Sequence, residues 1–339
     1  MMKELLKELC LINGVSGDES AVREYIIGKV KDFCDYRVDP IGSLICFRRG
    51  RKSSDKKLMI CAHMDEVGFI VTYINPDGTL CFDEVGGVNT TVAIGRQVRV
   101  GKNGISGVIG STAVHNLSKE QKEKAPDYDG MYIDIGAKDR EEAMQYVSLG
   151  DCVYFESEFT ELGANIKSKA IDDRAGCAMM IRLIREQPEY DTYFVFNVQE
   201  EIGLRGSGVS AFSVAPDFSV VLEATTAADI DGVSGAKRVC WLGDGPVISY
   251  MDRRTIYDRG LYDLAMDTAK ELSICCQTKT KIAGGNDAGA IHISGSGVRT
   301  IAVSLPCRYL HSASCVIAER DLEPSYTLVK RLAERIHEL

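Results

Sequence analysis

Twelve cysteines are present, yet no two of them form a C-x-x-C pair, so a zinc ribbon and a thioredoxin-type redox motif are both excluded. Tryptophan is nearly absent, with Trp241 alone. No apolar stretch approaches the ~20 residues that a membrane-spanning helix requires. A strong basic run is also missing: 40 Lys and Arg stand against 49 Asp and Glu, for a formal charge of −9. An acidic balance of this kind argues against nucleic acid or an anionic membrane as the partner. The short cluster Arg48-Arg49-Gly50-Arg51-Lys52 reads as a solvated turn between strands. Several cysteines, such as Cys61 in Leu-Met-Ile-Cys-Ala and Cys177 in Gly-Cys-Ala-Met-Met, sit in apolar runs where a free thiol packs as a small hydrophobe. The chain begins Met-Met-Lys-Glu-Leu-Leu-Lys-Glu, an amphipathic helix pattern without the apolar core of a signal peptide. A cytoplasmic protein is the expectation.

What is present is ordinary globular material. The 339 residues are 45% hydrophobic and 26% charged, enough for about two domains of roughly 150 residues and a large core. A first helix is expected from about residue 2 to 12. Ser16 and Glu19 have capping-box spacing ahead of a second helix, whose buried face is Val22, Tyr25, Ile26, Val30 and Phe33. Strands follow around 36–38 and 43–47 across the turn Pro40-Ile41-Gly42, and Leu58–Ala62 reads as a strand buried on both faces. From about 67 to 158 the pattern changes to short alternating strands (68–74, 97–100, 107–109, 131–135, 151–154) parted by Gly, Asn and Asp turns. That pattern fits a small β-barrel or sandwich, with Ser118–Lys124 as a surface loop. Helices at 174–185 and 257–272, buried strands at 193–198, 219–222 and 299–305, and a last helix from near Asp321 complete the chain. The fold class is therefore α/β, a mixed sheet flanked by helices with an inserted all-β barrel-like unit. The expected divisions are 1–66, 67–160 and 161–339.

The chemistry lies where apolar strands end. Leu58–Ala62 leads to His63-Met64-Asp65, 193–199 to Glu200-Glu201, 219–222 to Glu223, and 299–305 through Pro306-Cys307-Arg308-Tyr309-Leu310 to His311. Asp172-Asp173-Arg174 precedes a helix. In open α/β sheets, sites form outside the carboxyl ends of the strands. Taken singly, each piece has an everyday reading as a hydrogen-bonded pair, surface charge or helix cap. Carboxylates directly behind buried strands are costly unless something pairs them, and a metal satisfies several at once. Imidazoles and carboxylates without thiolate suit zinc, cobalt or manganese. One bridging carboxylate with two further ligands per ion is the minimum for two ions about 3.5–4 Å apart.

The motifs Gly14-Val15-Ser16-Gly17, Ala62-His63-Met64-Asp65-Glu66-Val67-Gly68 and Lys169-Ala170-Ile171-Asp172-Asp173-Arg174 are joined by Gln199-Glu200-Glu201-Ile202-Gly203. They continue through Gly284-Gly285-Asn286-Asp287-Ala288-Gly289-Ala290 and Arg308-Tyr309-Leu310-His311-Ser312. In order and spacing the chain resembles the glutamyl aminopeptidase and tetrahedral (TET) aminopeptidase family, metallopeptidase family forty-two, over nearly its whole length. The resemblance implies a dinuclear metalloaminopeptidase in which His63 binds one ion, His311 the other and Asp172 bridges them. It makes Glu201 a ligand on the His311 side, Glu200 the general base and Asp65 the residue that orients His63. It also implies short peptides as substrates, and a homo-oligomer in which dimers formed through the β insert build a tetrahedral dodecamer. The family usually carries Asp where this chain has Glu223, which completes the His63-side ion with a carboxylate displaced by about one C–C bond; Asp229 is the reserve candidate. Asn286 stands where threonine is common.

Other readings remain at this stage. A carboxypeptidase-like or deacylating two-metal amidohydrolase would use the same site, favouring N-blocked substrates. An endoglucanase would need an acid and a carboxylate flanking the bond and would leave the histidines idle. A metal-free scaffold is the non-enzymatic alternative. First-residue preference is open, with Lys237, Arg238, Lys281 and Arg308 as candidate cations. His115, His292 and His337 are read as structural.

Overall fold

The computed structural model describes residues 2–119, 123, 124 and 126–339; the expected loop at Ser118–Lys124 lies partly outside them. Helices α1 (Met2–Cys10) and α2 (Ser20–Val30) come first, then a hairpin of β1 (Asp35–Val38) and β2 (Leu44–Arg48). The hairpin turn is held by Asp39, whose Oδ1 accepts the amides of Ile41, Gly42 and Ser43. Strand β3 (Leu58–His63) follows, buried at every position.

The chain then leaves this sheet and closes a six-stranded barrel. Its strands are β4 (Gly68–Ile74), β5 (Leu80–Val85), β6 (Gln97–Val100), β7 (Ile105–Ser111), β8 (Met131–Asp134) and β9 (Cys152–Phe155), joined in the order β4-β5-β8-β7-β6-β9. Short helices α3 (Thr90–Ala93) and α4 (Arg140–Ala143) lie in its connections. Inward residues of alternating strands fill it: Phe69 meets Phe82 and Phe155 edge to face at 5.1 and 5.2 Å, a favoured aromatic geometry. Strand β5 is absent from the sequence expectation. Its second half, Asp83-Glu84, faces solvent and masks the apolar alternation.

Two strands, β10 (Thr160–Leu162) and β11 (Asn165–Ser168), return the chain to the α/β part. Helix α5 (Ile171–Arg185), β12 (Thr192–Asn197), α6 (Arg205–Val214), β13 (Phe218–Thr226), β14 (Val247–Ile248), α7 (Arg259–Glu271) and β15 (Gln277–Thr278) come next. Helix α8 (Ala288–Ile291), β16 (Arg299–Cys307), β17 (Cys315–Ala318) and α9 (Leu322–His337) complete it. The mixed sheet runs β1-β2-β12-β3-β13-β16-β14-β15. Its centre, β12-β3-β13-β16, is parallel throughout, so the carboxyl ends of four strands open on one edge. Helix α5 packs along β3 and β13 with α1 and α2 against it; α9 joins α5 and α7, and α6 pairs with α8. In α9 the residues Leu322, Tyr326, Val329, Leu332 and Ile336 are all buried, the stripe that a period of 3.6 demands.

The capping box is corrected. Helix α2 begins at Ser20 with Glu19 as its N-cap and no side-chain capping bond. Ser16 instead donates to Asp65 Oδ2 at 2.6 Å, and Glu19 accepts the amides of Gly17 and Gln199. Tertiary acceptors at the strand ends win over the local box.

Candidate metal centre

The carboxyl edge of the parallel strands gathers His63, Asp172, Glu200, Glu201, Glu223 and His311. His63 is the last residue of β3, and Glu223 lies in β13. Glu200 and Glu201 occupy the turn after β12, and His311 the loop after β16. Asp172 comes from the start of α5, where Asp172 and Asp173 have non-helical φ/ψ. Two groups of potential ligands emerge, His63–Asp172–Glu223 and Asp172–Glu201–His311, each with its ligand atoms within 4.8 Å of one another. Asp172 belongs to both. His63 Nε2 lies 3.4 Å from Asp172 Oδ1 and 3.8 Å from Glu223 Oε2. His311 Nε2 lies 3.8 Å from Asp172 Oδ2 and 3.3 Å from Glu201 Oε2. A third grouping joins His63 with Glu200 and Glu201.

The outer ring nitrogens explain the orientation. His63 Nδ1 is 3.0 Å from the main-chain oxygen of Asp65, and His311 Nδ1 is 2.9 Å from that of Gly87. A carbonyl oxygen only accepts, so each Nδ1 carries a proton, and only in the neutral ring does Nε2 turn a lone pair inward. Without a cation the carboxylates around His63 overcome burial and favour its protonated ring; a neutral ring would face them acceptor against acceptor. Buried Asp172 Oδ1, Asp173 Oδ2 and Glu223 Oε1 have no hydrogen-bond donor. Divalent cations held by these residues would offset the crowded negative charge, and a backbone carbonyl is one of the usual partners behind a metal-binding imidazole. The residues present therefore fit divalent metal ions.

Asp65 lies beneath the cluster, fully buried. Its carboxylate accepts the amides of Glu200 and Glu201, each at 3.0 Å, as well as the Ser16 hydroxyl. The carboxylate is 3.5 Å from His63 Nδ1, so the shorter contact to the ring comes from the Asp65 main chain rather than its side chain. Burial works to raise the Asp65 carboxyl, but the His63 ring and these donors hold it below the usual carboxylate range. Burial pushes Glu200, Glu201 and Glu223 the other way, well above that range; the His63 ring opposes this and the neighbouring carboxylates add to it.

The site opens into a cavity of about 580 Å³ lined by Glu200, Glu223, His311, Asn286 and Asp252, and by two cations, Arg254 and Lys279. Burial pulls the Lys279 ammonium below its ordinary range against the pull of Asp252 and Glu223. It donates to Ala283 O at 3.0 Å. Among the described residues neither Lys279 nor Arg254 has an ion-pair partner. Both were missed in the sequence because they sit in loops with no motif. Lys237 and Lys281 are exposed, Arg238 donates to Val233 O, and none of the three lines the cavity. Asp229, the reserve ligand, is engaged with Arg308 and the Leu242 amide. His292 Nδ1 contacts Ala288 O, and His337 stacks on Tyr190 at 4.6 Å.

Comparison with known proteins agrees with this architecture. The M42 glutamyl aminopeptidase family matches residues 42–328. A putative aminopeptidase from Acetivibrio thermocellus is 39% identical over 338 residues, covering 99% of this chain and 98% of its own. Among solved structures, a TET aminopeptidase from a marine sediment Thaumarchaeota archaeon superposes with a TM-score of 0.94 at 32% identity, covering 99% of this chain and 96% of that one. The Pyrococcus horikoshii TET1 peptidase, which can assemble into a tetrahedron or a large octahedral shell, gives 0.85 at 34% identity over 98% and 99%. On this match the chain belongs to the M42 glutamyl aminopeptidase family of metallopeptidases and is a hydrolase of peptide bonds.

Proposed function

We propose that the chain removes N-terminal residues from short peptides with two divalent cations, one held by His63, Asp172 and Glu223 and the other by Asp172, Glu201 and His311. The observation that carries this reading is the position of Asp172, whose two carboxylate oxygens each face a different imidazole. A donor set of imidazole and carboxylate without thiolate favours zinc or cobalt, with manganese also accommodated. Bound there, divalent cations lower the pKa of water and polarise a scissile carbonyl.

The protein's own groups supply the rest. Glu200 lines the cavity without belonging to either Asp172-centred group, so its carboxylate is free to act as the general base. Burial raises its affinity for a proton, which suits a group that takes a proton from water and returns it to the departing amine. Asp65 holds the turn that presents Glu200. Lys279 and Arg254 provide unpaired positive charge in the cavity, which favours an acidic first side chain in the substrate.

The division at 1–66, 67–160 and 161–339 belongs to the same reading, with the barrel as the surface through which dimers form. By likeness to a relative that assembles into a tetrahedron, we assign dimers that build a dodecamer, whose openings would admit only short peptides. A cytoplasmic location fits the free thiols.

The test is Glu200→Gln assayed on aminoacyl-p-nitroanilides with zinc or cobalt. Turnover falls by at least about 100-fold while metal content stays at two per chain. Wild-type activity in this variant removes Glu200 from the role.

A further inference from the structure

Three consecutive main-chain amides end on just two buried carboxylates. Gln199 N donates to Glu19 Oε1 at 3.1 Å, Glu200 N to Asp65 Oδ1 at 3.0 Å, and Glu201 N to Asp65 Oδ2 at 3.0 Å. Asp65 stands in the His63-Met64-Asp65 motif; Glu19 is 180 residues away from Gln199 in sequence and does not line the cavity. Its side chain is nonetheless deeply buried, at 4% exposure, and the same Oε1 receives Gly17 N at 2.8 Å.

Gln199 has φ +57°, a left-handed conformation that a residue with a side chain keeps only where its surroundings enforce it. Two kinds of contact enforce it here. Downstream, the turn closes on itself, with Arg205 N donating to Gln199 O at 3.1 Å and Leu204 N to Glu200 O at 2.9 Å. Upstream, the only donor of the Gln199 main chain is spent on Glu19. Glu19 is itself fixed because the Gly14–Glu19 segment is stitched to the end of β3: Gly14 N donates to Glu66 Oε1, Glu66 N to Gly14 O, and Ser16 to Asp65.

We infer that Glu19 is a positioning residue for Glu200, locking the Gln199 peptide so that the next carboxylate points into the cavity. This rests on the reading of Glu200 as the general base. The Glu19 carboxylate accepts the amides of Gly17 and Gln199 and lies outside the cavity lining. His63, Asp172, Glu223 and His311 sit on other elements, and Glu201 keeps its own anchor on Asp65, so metal binding does not depend on Glu19.

The experiment compares Glu19→Ala, Glu19→Gln and Glu19→Asp with Glu200→Gln in the zinc-loaded protein. Misplacing a catalytic group by about 1 Å through a change away from the chemistry costs up to about 100-fold. Glu19→Ala is therefore expected to lose 10–100-fold in kcat with KM changed less than about two-fold and with two metals per chain. Glu19→Gln restores kcat because its amide oxygen accepts the same N–H, and Glu19→Asp, whose acceptor is withdrawn, falls between. Hydrogen exchange, read on metal-free protein, speeds up in the segment 198–202 for Glu19→Ala and not for Glu19→Gln. Should Glu19→Ala not fold, Glu19→Asp and Glu19→Gln carry the same comparison. Wild-type kcat and unchanged exchange in Glu19→Ala or Glu19→Asp, or Glu19→Gln no better than Glu19→Ala, overturns the inference. If Glu200→Gln is inactive while Glu19→Ala is fully active, Glu19 alone fails; if Glu200→Gln is fully active, the base assignment itself has failed.

Discussion

Arg308 and Asp229 form a two-point ion pair, with Nε and Nη2 of the guanidinium each 2.7 Å from a carboxylate oxygen. The pair ties the loop after β13 to the end of β16, the strand that leads to His311. It also disposes of two sequence candidates together: Asp229 is not free to ligate, and Arg308 is not free to select a substrate.

Asp229→Asn removes the charge from this pair and is expected to lower unfolding free energy by about 1–2 kcal/mol at neutral pH. Burial opposes the charged form, but the Arg308 contact wins and leaves the Asp229 carboxyl below its ordinary 3.8. The folded state thus releases this proton more readily than the unfolded chain. The stabilisation is complete above pH 3.8 and disappears as the pH falls from there through the depressed folded value. Denaturant unfolding of both proteins across acidic pH should show their difference shrinking; a difference that grows on acidification contradicts the assignment.

Glu223→Ala should bind one zinc per chain against the two proposed for the wild type, because of the two Asp172-centred groups only the His63-side one contains Glu223. Titration calorimetry or elemental analysis after gel filtration reads the stoichiometry. Two tightly held ions in Glu223→Ala would show that Glu223 is not a ligand. Glu223→Asp, with its carboxylate withdrawn by one methylene, should retain both ions with altered affinity at one.

Lys279→Met keeps the aliphatic stem and removes the charge. A charge-assisted contact with an acidic substrate side chain is worth about 1.5–3 kcal/mol, so kcat/KM for glutamyl-p-nitroanilide should drop about 10–100-fold while leucyl-p-nitroanilide is little affected. An equal drop on both substrates would mean that Lys279 does not select the first residue.

Thiol labelling of the native protein should be fast at Cys275 alone, the exposed cysteine among the described residues. Cys61 and Cys177, fully buried in the core, should react only in denaturant. Loss of the fast phase in Cys275→Ser checks this, and persistence of a fast phase would point to local opening elsewhere.

The elements that the sequence made legible are those with one dominant environment. Strands β3, β12, β13 and β16 are largely buried on both faces and centre on apolar runs, so the His, Glu and Asp residues at or beyond their ends stood out. The stripe of α9 was equally plain. Strand β5 was not, because Asp83 and Glu84 face solvent and interrupt its alternation. The Ser16–Glu19 box failed because local spacing carries no information about Asp65 and Gln199, which compete for the same side chains through the fold. Lys279 and Arg254 were invisible for a related reason: a loop cation acquires meaning only from the cavity it lines. The partners of the imidazole rings were hidden more deeply, since a main-chain oxygen at Gly87 or Asp65 has no residue-type signature.

The Gly87 carbonyl is where the barrel reaches the candidate metal centre. It receives His311 Nδ1 at 2.9 Å, and a Cβ placed on Gly87 would sit 3.4 Å from the same nitrogen, while one on Gly86 would sit 3.2 Å from the Glu201 Cβ. A β unit grafted out of this chain would take with it the peptide that orients the ring of His311, a proposed metal ligand. Excising it should disarm the remaining α/β body even if that body stays folded, and force applied to the barrel by an adjoining subunit would be felt at His311.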